Sequence, residues 1–308
     1  MEPIKNILVG LDTTEMDETL IRFTTYIVDT SSAENVYFTN IVKNLDISDE
    51  VQKEFPQLKE HALNERQSIL KNEVDEWFKP EREVNIKYHV NSGRATKSFL
   101  KFQKAENIDL IIVGRKITSP GQGNLVTRLA RRADCQLLII PENTLPSPLR
   151  SKILVPIDFS EHSKLALELA VNLGARAKET EIIAQNVYFV PAGYHYSGKS
   201  FKEFGEIMKT HAQKDFKNFI RDINTEDLKI KDVYSLDIND NLVSDIYDFA
   251  EEIKPNLIII GAKGRTATAA MFIGSFAEKL INPAMKYPLL VVRQKGKQDG
   301  LLDYFREM

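Results

Sequence analysis

Ile153-Leu154-Val155-Pro156-Ile157-Asp158 restates a stretch from the start of the chain, Ile7-Leu8-Val9-Gly10-Leu11-Asp12. Further matches follow in the same order. Asn186-Val187-Tyr188 answers Asn40-Ile41-Val42, and Asn256-Leu257-Ile258-Ile259-Ile260-Gly261 answers Asp109-Leu110-Ile111-Ile112-Val113-Gly114. Finally, Leu289-Leu290-Val291-Val292 answers Leu137-Leu138-Ile139-Ile140. Ordered self-similarity of this kind means one topology used twice, so the organisation is fixed before any element is assigned. The repeated runs are short, rich in β-branched residues and continuous rather than alternating, as in parallel strands covered on both faces.

Helical patterns fill the intervals. Ser160 is placed to cap a helix with Glu161 in its first turn, and Leu165, Ala166, Leu169, Ala170 and Leu173 follow at helical spacing up to Gly174. Phe201, Phe204, Met208, Ala212, Phe216 and Phe219 share one face of a second helix and read as core, and Gln52 to Phe78 plays the same part in the first half. Strand and helix alternate throughout, which gives two tandem doubly wound α/β domains. The proline-rich Pro141-Glu142-Asn143-Thr144-Leu145-Pro146-Ser147-Pro148 reads as a stiff linker, dividing the chain into 1–146 and 147–308.

Composition narrows the function. A length of 308 residues suits two domains, and a net charge of -3 supplies no basic field for nucleic acid. The single Cys135 cannot form an internal disulfide, no apolar run approaches a membrane span, and Met1-Glu2-Pro3-Ile4-Lys5 leads straight into a strand. A cytoplasmic protein without membrane or nucleic-acid partners is expected.

Parallel sheets bind ligands beyond the carboxyl ends of their strands. After Leu257 to Ile260 comes Gly261-x2-Gly264-x9-Gly274-Ser275, followed by the helix-like Phe276-Ala277-Glu278-Lys279-Leu280. Glycines let backbone N-H groups approach phosphate oxygens, and Ser275 at a helix start adds a hydroxyl and the helix dipole. Asp158, at the tip of a first strand, suits a ribose or base donor, or it caps the following helix. Lys263 and Arg265 flank Gly264, either to neutralise phosphate or simply as solvated cations.

With these residues in place, the chain resembles the universal stress protein family along its whole length, as two copies of that adenine nucleotide alpha hydrolase-like fold. The resemblance implies ATP, with Mg or Mn as the candidate bridging ion. It assigns Pro156, Asp158 and the Val187 backbone to adenosine. Gly261, Gly264, Gly274, Ser275 and Phe276 go to the phosphates, with Arg265 beside them. The first half departs from the pattern: Ile117 replaces the second glycine, only eight residues separate Gly114 from Gly123 against twelve in the second half, and Asn124 replaces the hydroxyl residue. Pro120 also removes an N-H donor. Its phosphate loop is read as degenerate.

Two other signals are set aside. Gly193-Tyr194-His195-Tyr196-Ser197-Gly198-Lys199-Ser200 has Walker spacing, but follows the second strand of the unit and has no counterpart in the other half. Asp237-Ile238-Asn239-Asp240-Asn241 opens like a calcium loop, yet Leu242 stands where glycine is required. The expectation is therefore a stress-response protein that binds ATP in its second half as a regulatory ligand. A slow ATP hydrolase or nucleotidyl-transfer enzyme is the alternative, although no general base is evident. A nucleotide-free dimerisation scaffold is a third reading. Single-domain relatives pair through their last strand, so an internal pseudo-dimer is expected, with a homodimer and an unidentified protein partner as further candidates.

Overall fold

The computed structural model describes residues 3–42, 45, 48–116, 123–142, 144–145, 151–175, 180–225, 228–264, 273–281 and 285–293. Two compact units are built chiefly from Met1–Pro148 and from Leu149–Asn282 with Tyr287–Arg293.

The first unit runs β1 (Asn6–Leu11), α1 (Met16–Thr30), β2 (Asn35–Val42), α2 (Asp49–Glu54), α3 (Leu58–Trp77), β3 (Asn85–Ser92), α4 (Ala95–Ala105), β4 (Leu110–Arg115), α5 (Gly123–Arg132) and β5 (Gln136–Pro141). Its strands pair in parallel in the order β3-β2-β1-β4-β5. The second unit repeats this with β6 (Lys152–Pro156), α6 (Glu161–Gly174), β7 (Glu181–Phe189), a 3-10 turn at Tyr194–Ser197, α7 (Phe201–Ile220), β8 (Ile230–Asp237), α8 (Leu242–Ile253), β9 (Leu257–Gly261), α9 (Ser275–Leu280) and β10 (Leu289–Val292). Its order is β8-β7-β6-β9-β10, again parallel. Both units are doubly wound parallel α/β folds with the same strand order.

The first pair of quoted runs forms the central strands β1 and β6. Ile7, Leu8 and Val9 are fully buried, as are Ile153, Leu154 and Val155. In each unit the chain goes one way from its first strand and then returns to the other side, so the order reverses at β1/β4 and at β6/β9. A crevice opens there at the carboxyl ends.

Helix starts follow their caps. Ser160 accepts the Ser163 N-H at 3.2 Å and begins α6. Ser200 begins α7 with a capping box completed by Glu203. Two expectations need correction. Gln52 to Phe78 is not one helix: α2 ends at Glu54 and α3 starts at Leu58, because Pro56 lacks an N-H and disfavours helical geometry before it. Phe201 is not core: it is 37% exposed and stacks edge-on against Tyr194, 5.6 Å away.

Candidate functional site

In the second unit, β6 and β9 remain paired only through Leu154↔Ile258, whereas β1 and β4 stay together to Gly10↔Val113. Pro156 has no N-H to offer a ladder and stands where Gly10 is still paired. The strand ends therefore part early, and Asp158 follows at the mouth of the gap.

Asp158 is held locally. Its Oδ1 accepts the Ser160 N-H at 3.0 Å and the Ser160 hydroxyl at 2.5 Å. The helix cap is thus Ser160, and Asp158 braces it. Phe159 between them adopts a left-handed φ of 63°, a conformation that costs a non-glycine residue and recurs at functional turns. The other carboxylate oxygen faces the glycine loop: a Cβ placed on Gly264 would lie 2.9 Å from Asp158 Oδ2. Asp158 and Gly264, far apart in the sequence, are brought into direct approach.

The remaining glycines divide by role. A Cβ on Gly261 would sit 2.5 Å from the His162 carbonyl oxygen. That glycine lets the first turn of α6 pack on the end of β9, a packing role like that of the last glycine in dinucleotide motifs. Gly274 meets the other side of the loop: its N-H donates to Ala262 O at 2.8 Å, and its Cβ position is 3.5 Å from Gly264 N. Gly274 is also the residue before α9, with no side-chain cap. Ser275 and Phe276 open that helix, where first-turn N-H groups lack intrahelical acceptors. Lys263 is half-buried, and burial together with the nearby Arg293 pulls its pKa below the usual lysine value. An anion near these cations would favour the charged lysine and oppose that shift.

Pro156 is buried beneath the gap, and half-buried Val187 of β7 pairs with Ser235 of β8. The Asn186 side chain donates to Ile157 O at 2.9 Å, tying the ends of β6 and β7 together beside Val187. Asn40 does the same to Leu11 O at 3.0 Å in the first unit. The repeat had exposed these asparagines without suggesting their job. Arg265 lies outside the described residues.

The first unit keeps the turn, and its central strands stay paired two residues further. Thr13 repeats the left-handed φ, at 58°. The Lys116 ammonium lies 2.8 Å from both Asp12 carboxylate oxygens, and the Thr14 hydroxyl donates to Asp12 Oδ1 at 2.7 Å. Asp12 therefore already has an internal cation. Gly114 packs against Met16, whose Sδ would be 2.5 Å from an added Cβ, the counterpart of Gly261 against α6. Behind the turn, Asp17 is only 2% exposed and accepts the Asp12 N-H at 3.1 Å and the Thr13 N-H at 2.7 Å. Burial pushes its pKa up to about 7, with Asp12 and Glu73 adding to the rise while the backbone bonds oppose it. Ile117 and Pro120 lie outside the described residues, as does the side chain of Asn124.

The Walker-like stretch forms no phosphate cradle. Ser200 Oγ accepts the Glu203 N-H at 3.3 Å and donates to Glu203 Oε2 at 2.7 Å, so a carboxylate already occupies the start of α7. In the calcium-like stretch, Asp237 Oδ1 accepts the N-H groups of Asn239 and Asn241, each at 3.1 Å, and shapes a turn. Among the described residues no group of three or more His, Cys, Asp or Glu is arranged to hold a metal.

A model of the Universal stress protein family matches residues 3–141 and again 150–293. Universal stress protein MJ0577 of Methanocaldococcus jannaschii is 29% identical over 164 residues, covering 49% of this chain and 99% of that protein. MJ0531 of the same organism is 30% identical over 154 residues, covering 49% and 86%. Among solved structures, a universal stress protein from Archaeoglobus fulgidus superposes with a TM-score of 0.62 at 15% identity, covering 96% of this chain and 98% of its own. A functionally unknown protein, PA1789 from Pseudomonas aeruginosa, gives 0.63 at 16% identity, covering 99% and 98%. The curated relatives are thus similar to half of the chain, whereas these solved structures share the fold of the whole.

Proposed function

The chain belongs to the universal stress protein family, with two tandem copies of its fold, and we propose that it is a stress-response protein holding one ATP in its second half as a regulatory or conformational ligand. The observation that carries this reading is the approach of Asp158 Oδ2 to Gly264, where a Cβ would be only 2.9 Å away. A backbone brought so close to a strand-end carboxylate, beside an uncapped helix start and two cations, fits a ribose joined to a phosphate chain.

In this reading Pro156, Asp158 and the Val187 backbone hold adenosine. The amides of Gly264, Ser275 and Phe276 face the phosphates, with Lys263 and Arg265 as counter-charges. Gly261 and Gly274 serve the loop's shape, since the first packs on α6 and the second gives its N-H to Ala262. A bridging Mg or Mn would be held chiefly by phosphate oxygens. The first half is the silent copy because Lys116 already neutralises Asp12. The nucleotide acts as a ligand, not as a substrate to be turned over.

The proposal extends to assembly and setting. The join is placed between 146 and 147, and the halves pair through β5 and β10, each the last strand of its own unit's order. Among the described residues no helix is long and apolar enough to cross a membrane. A cytoplasmic setting is part of the same reading.

The test is to denature freshly purified protein, then identify and count the nucleotide released. One ATP per chain is expected, lost in Gly264→Val. Two per chain, none, or retention in that variant would overturn the reading.

A further inference from the structure

A second concave site lies in the first unit, away from the strand-end crevice. A cavity of about 500 Å³ runs between the end of β3 and one face of α4, lined by His89, Asn91, Ser92, Arg94, Lys97, Ser98 and Lys101 among others. Arg94, Lys97 and Lys101 recur at helical spacing and are exposed, so their charges line one wall. None of the three has an ion-pair partner among the described residues. The His89 ring lies 4.5 Å from the Phe102 ring, tilted 42° to it, and the two rings line the floor of the cavity. Burial pulls the His89 pKa below the ordinary histidine value, with Glu106 opposing, so this floor stays uncharged at neutral pH.

The second copy of the fold shows that these charges are not needed for folding. Counted from the residues that precede the two helices, Arg94 of α4 corresponds to Asn241 of α8. Lys97, Ser98, Lys101 and Ala105 then correspond to Ser244, Asp245, Asp248 and Glu252. The same helix in the same place is acidic there, and its start is closed by Asn241, which accepts the Ser244 N-H at 3.2 Å. On α4 the residue before the helix is Arg94, which makes no side-chain cap. Between the two copies this helix face has therefore exchanged acidic for basic side chains while the fold is kept.

We infer that the β3–α4 cavity of the first unit binds a small polyphosphate, gripped by Arg94, Lys97 and Lys101 over the His89–Phe102 floor. Its volume is in the range of small-molecule sites, which favours a compact anion over an acidic protein. The phosphate chain of a nucleotide offers the same chemistry as the free anion. This site is independent of the ATP crevice proposed for the second unit.

Sodium tripolyphosphate and, separately, ATP should be titrated into the full chain at low salt, with the histidine ring protons followed by NMR. His89 is inside the cavity, whereas His162 packs against Gly261 of the other site, so the two histidines report the two sites separately. Tripolyphosphate is expected to move His89 and not His162. Lys97→Ala/Lys101→Ala should weaken that binding by about tenfold or more, since a charge-assisted contact is worth at least that much, while Gly264→Val should leave it unchanged. If ATP moves His89 as well, and the lysine pair abolishes that response, the phosphate chain of a nucleotide is a source of the anion; if only tripolyphosphate does so, the free anion is the ligand. A response confined to His162, no response at all, binding unaffected by the lysine pair, or capture of an acidic peptide without any response to tripolyphosphate would overturn the assignment.

Discussion

Asp17→Asn should make the first unit more stable at pH 8 and leave it almost unchanged near pH 4. Asp17 is a buried acceptor of two backbone N-H groups, with Asp12 and Glu73 as like charges near it, Arg66 bonded to the Thr13 hydroxyl, and Lys116 neutralising Asp12. Glu73 is itself pushed upward by burial. A carboxyl whose folded pKa is about 7 against 3.8 for the free group stabilises the fold fully below the lower value. That contribution is lost as pH rises through the higher one. The ceiling on the loss is roughly 4 kcal/mol, from ~1.4 kcal/mol for each pH unit between the two values. Asn keeps an acceptor for the Asp12 and Thr13 amides and cannot ionise, so the variant should gain on the order of 1–3 kcal/mol at pH 8, allowing for local relaxation. The assay is urea unfolding at pH 4, 6 and 8 followed by tryptophan fluorescence. Trp77 is the single tryptophan of the chain and sits in α3 with Arg22 4.4 Å above its ring, so the signal belongs to the first unit. Parallel pH profiles for the two proteins, or a variant less stable at pH 8, would refute the reasoning.

Turnover of Mg-ATP by the purified protein should be absent or far below about 1 per second, the low end of ordinary enzymes; a steady rate above that, lost in Asp158→Ala, would make the ligand a substrate. Gly261→Ala should destabilise the second unit by roughly 1–3 kcal/mol through overpacking, because its Cβ would be 2.5 Å from the His162 carbonyl; calorimetry showing no change would contradict the packing role. Cysteines at Ile139 and Val291 in a Cys135→Ser background should crosslink within one chain if β5 and β10 pair internally, and crosslinks found only between chains would exclude that arrangement.

The fold was legible because duplication multiplies weak signals. A single run such as Leu289 to Val292 could belong to a buried helix as easily as to a strand. Its match to Leu137 to Ile140, in the same order as the other matches, leaves parallel strands as the consistent assignment. Helix boundaries were readable where a cap was local, as at Ser160 and Ser200. The break at Pro56 was visible in the residue itself, but the long apolar pattern across Gln52 to Phe78 concealed it. The exposure of Phe201 was not readable, because spacing fixes a face of a helix and not the depth to which that face is covered.

The site was legible only in part, for a related reason. Glycine at 261, 264 and 274 marks close approach without saying what approaches: His162 in the first case, Asp158 in the second and the Ala262 carbonyl in the third. Lys116 and Lys263 follow equivalent glycines in the two halves and look interchangeable in sequence. Sequence does not say what each one meets: Lys116 closes on Asp12, and Lys263 is half-buried near Arg293. A cation that closes on the strand-end aspartate is therefore compatible with the same fold. The strand core and the tying asparagines Asn40 and Asn186 still hold both copies to one frame. Helix faces outside that frame remain free to diverge in charge, as α4 and α8 have done.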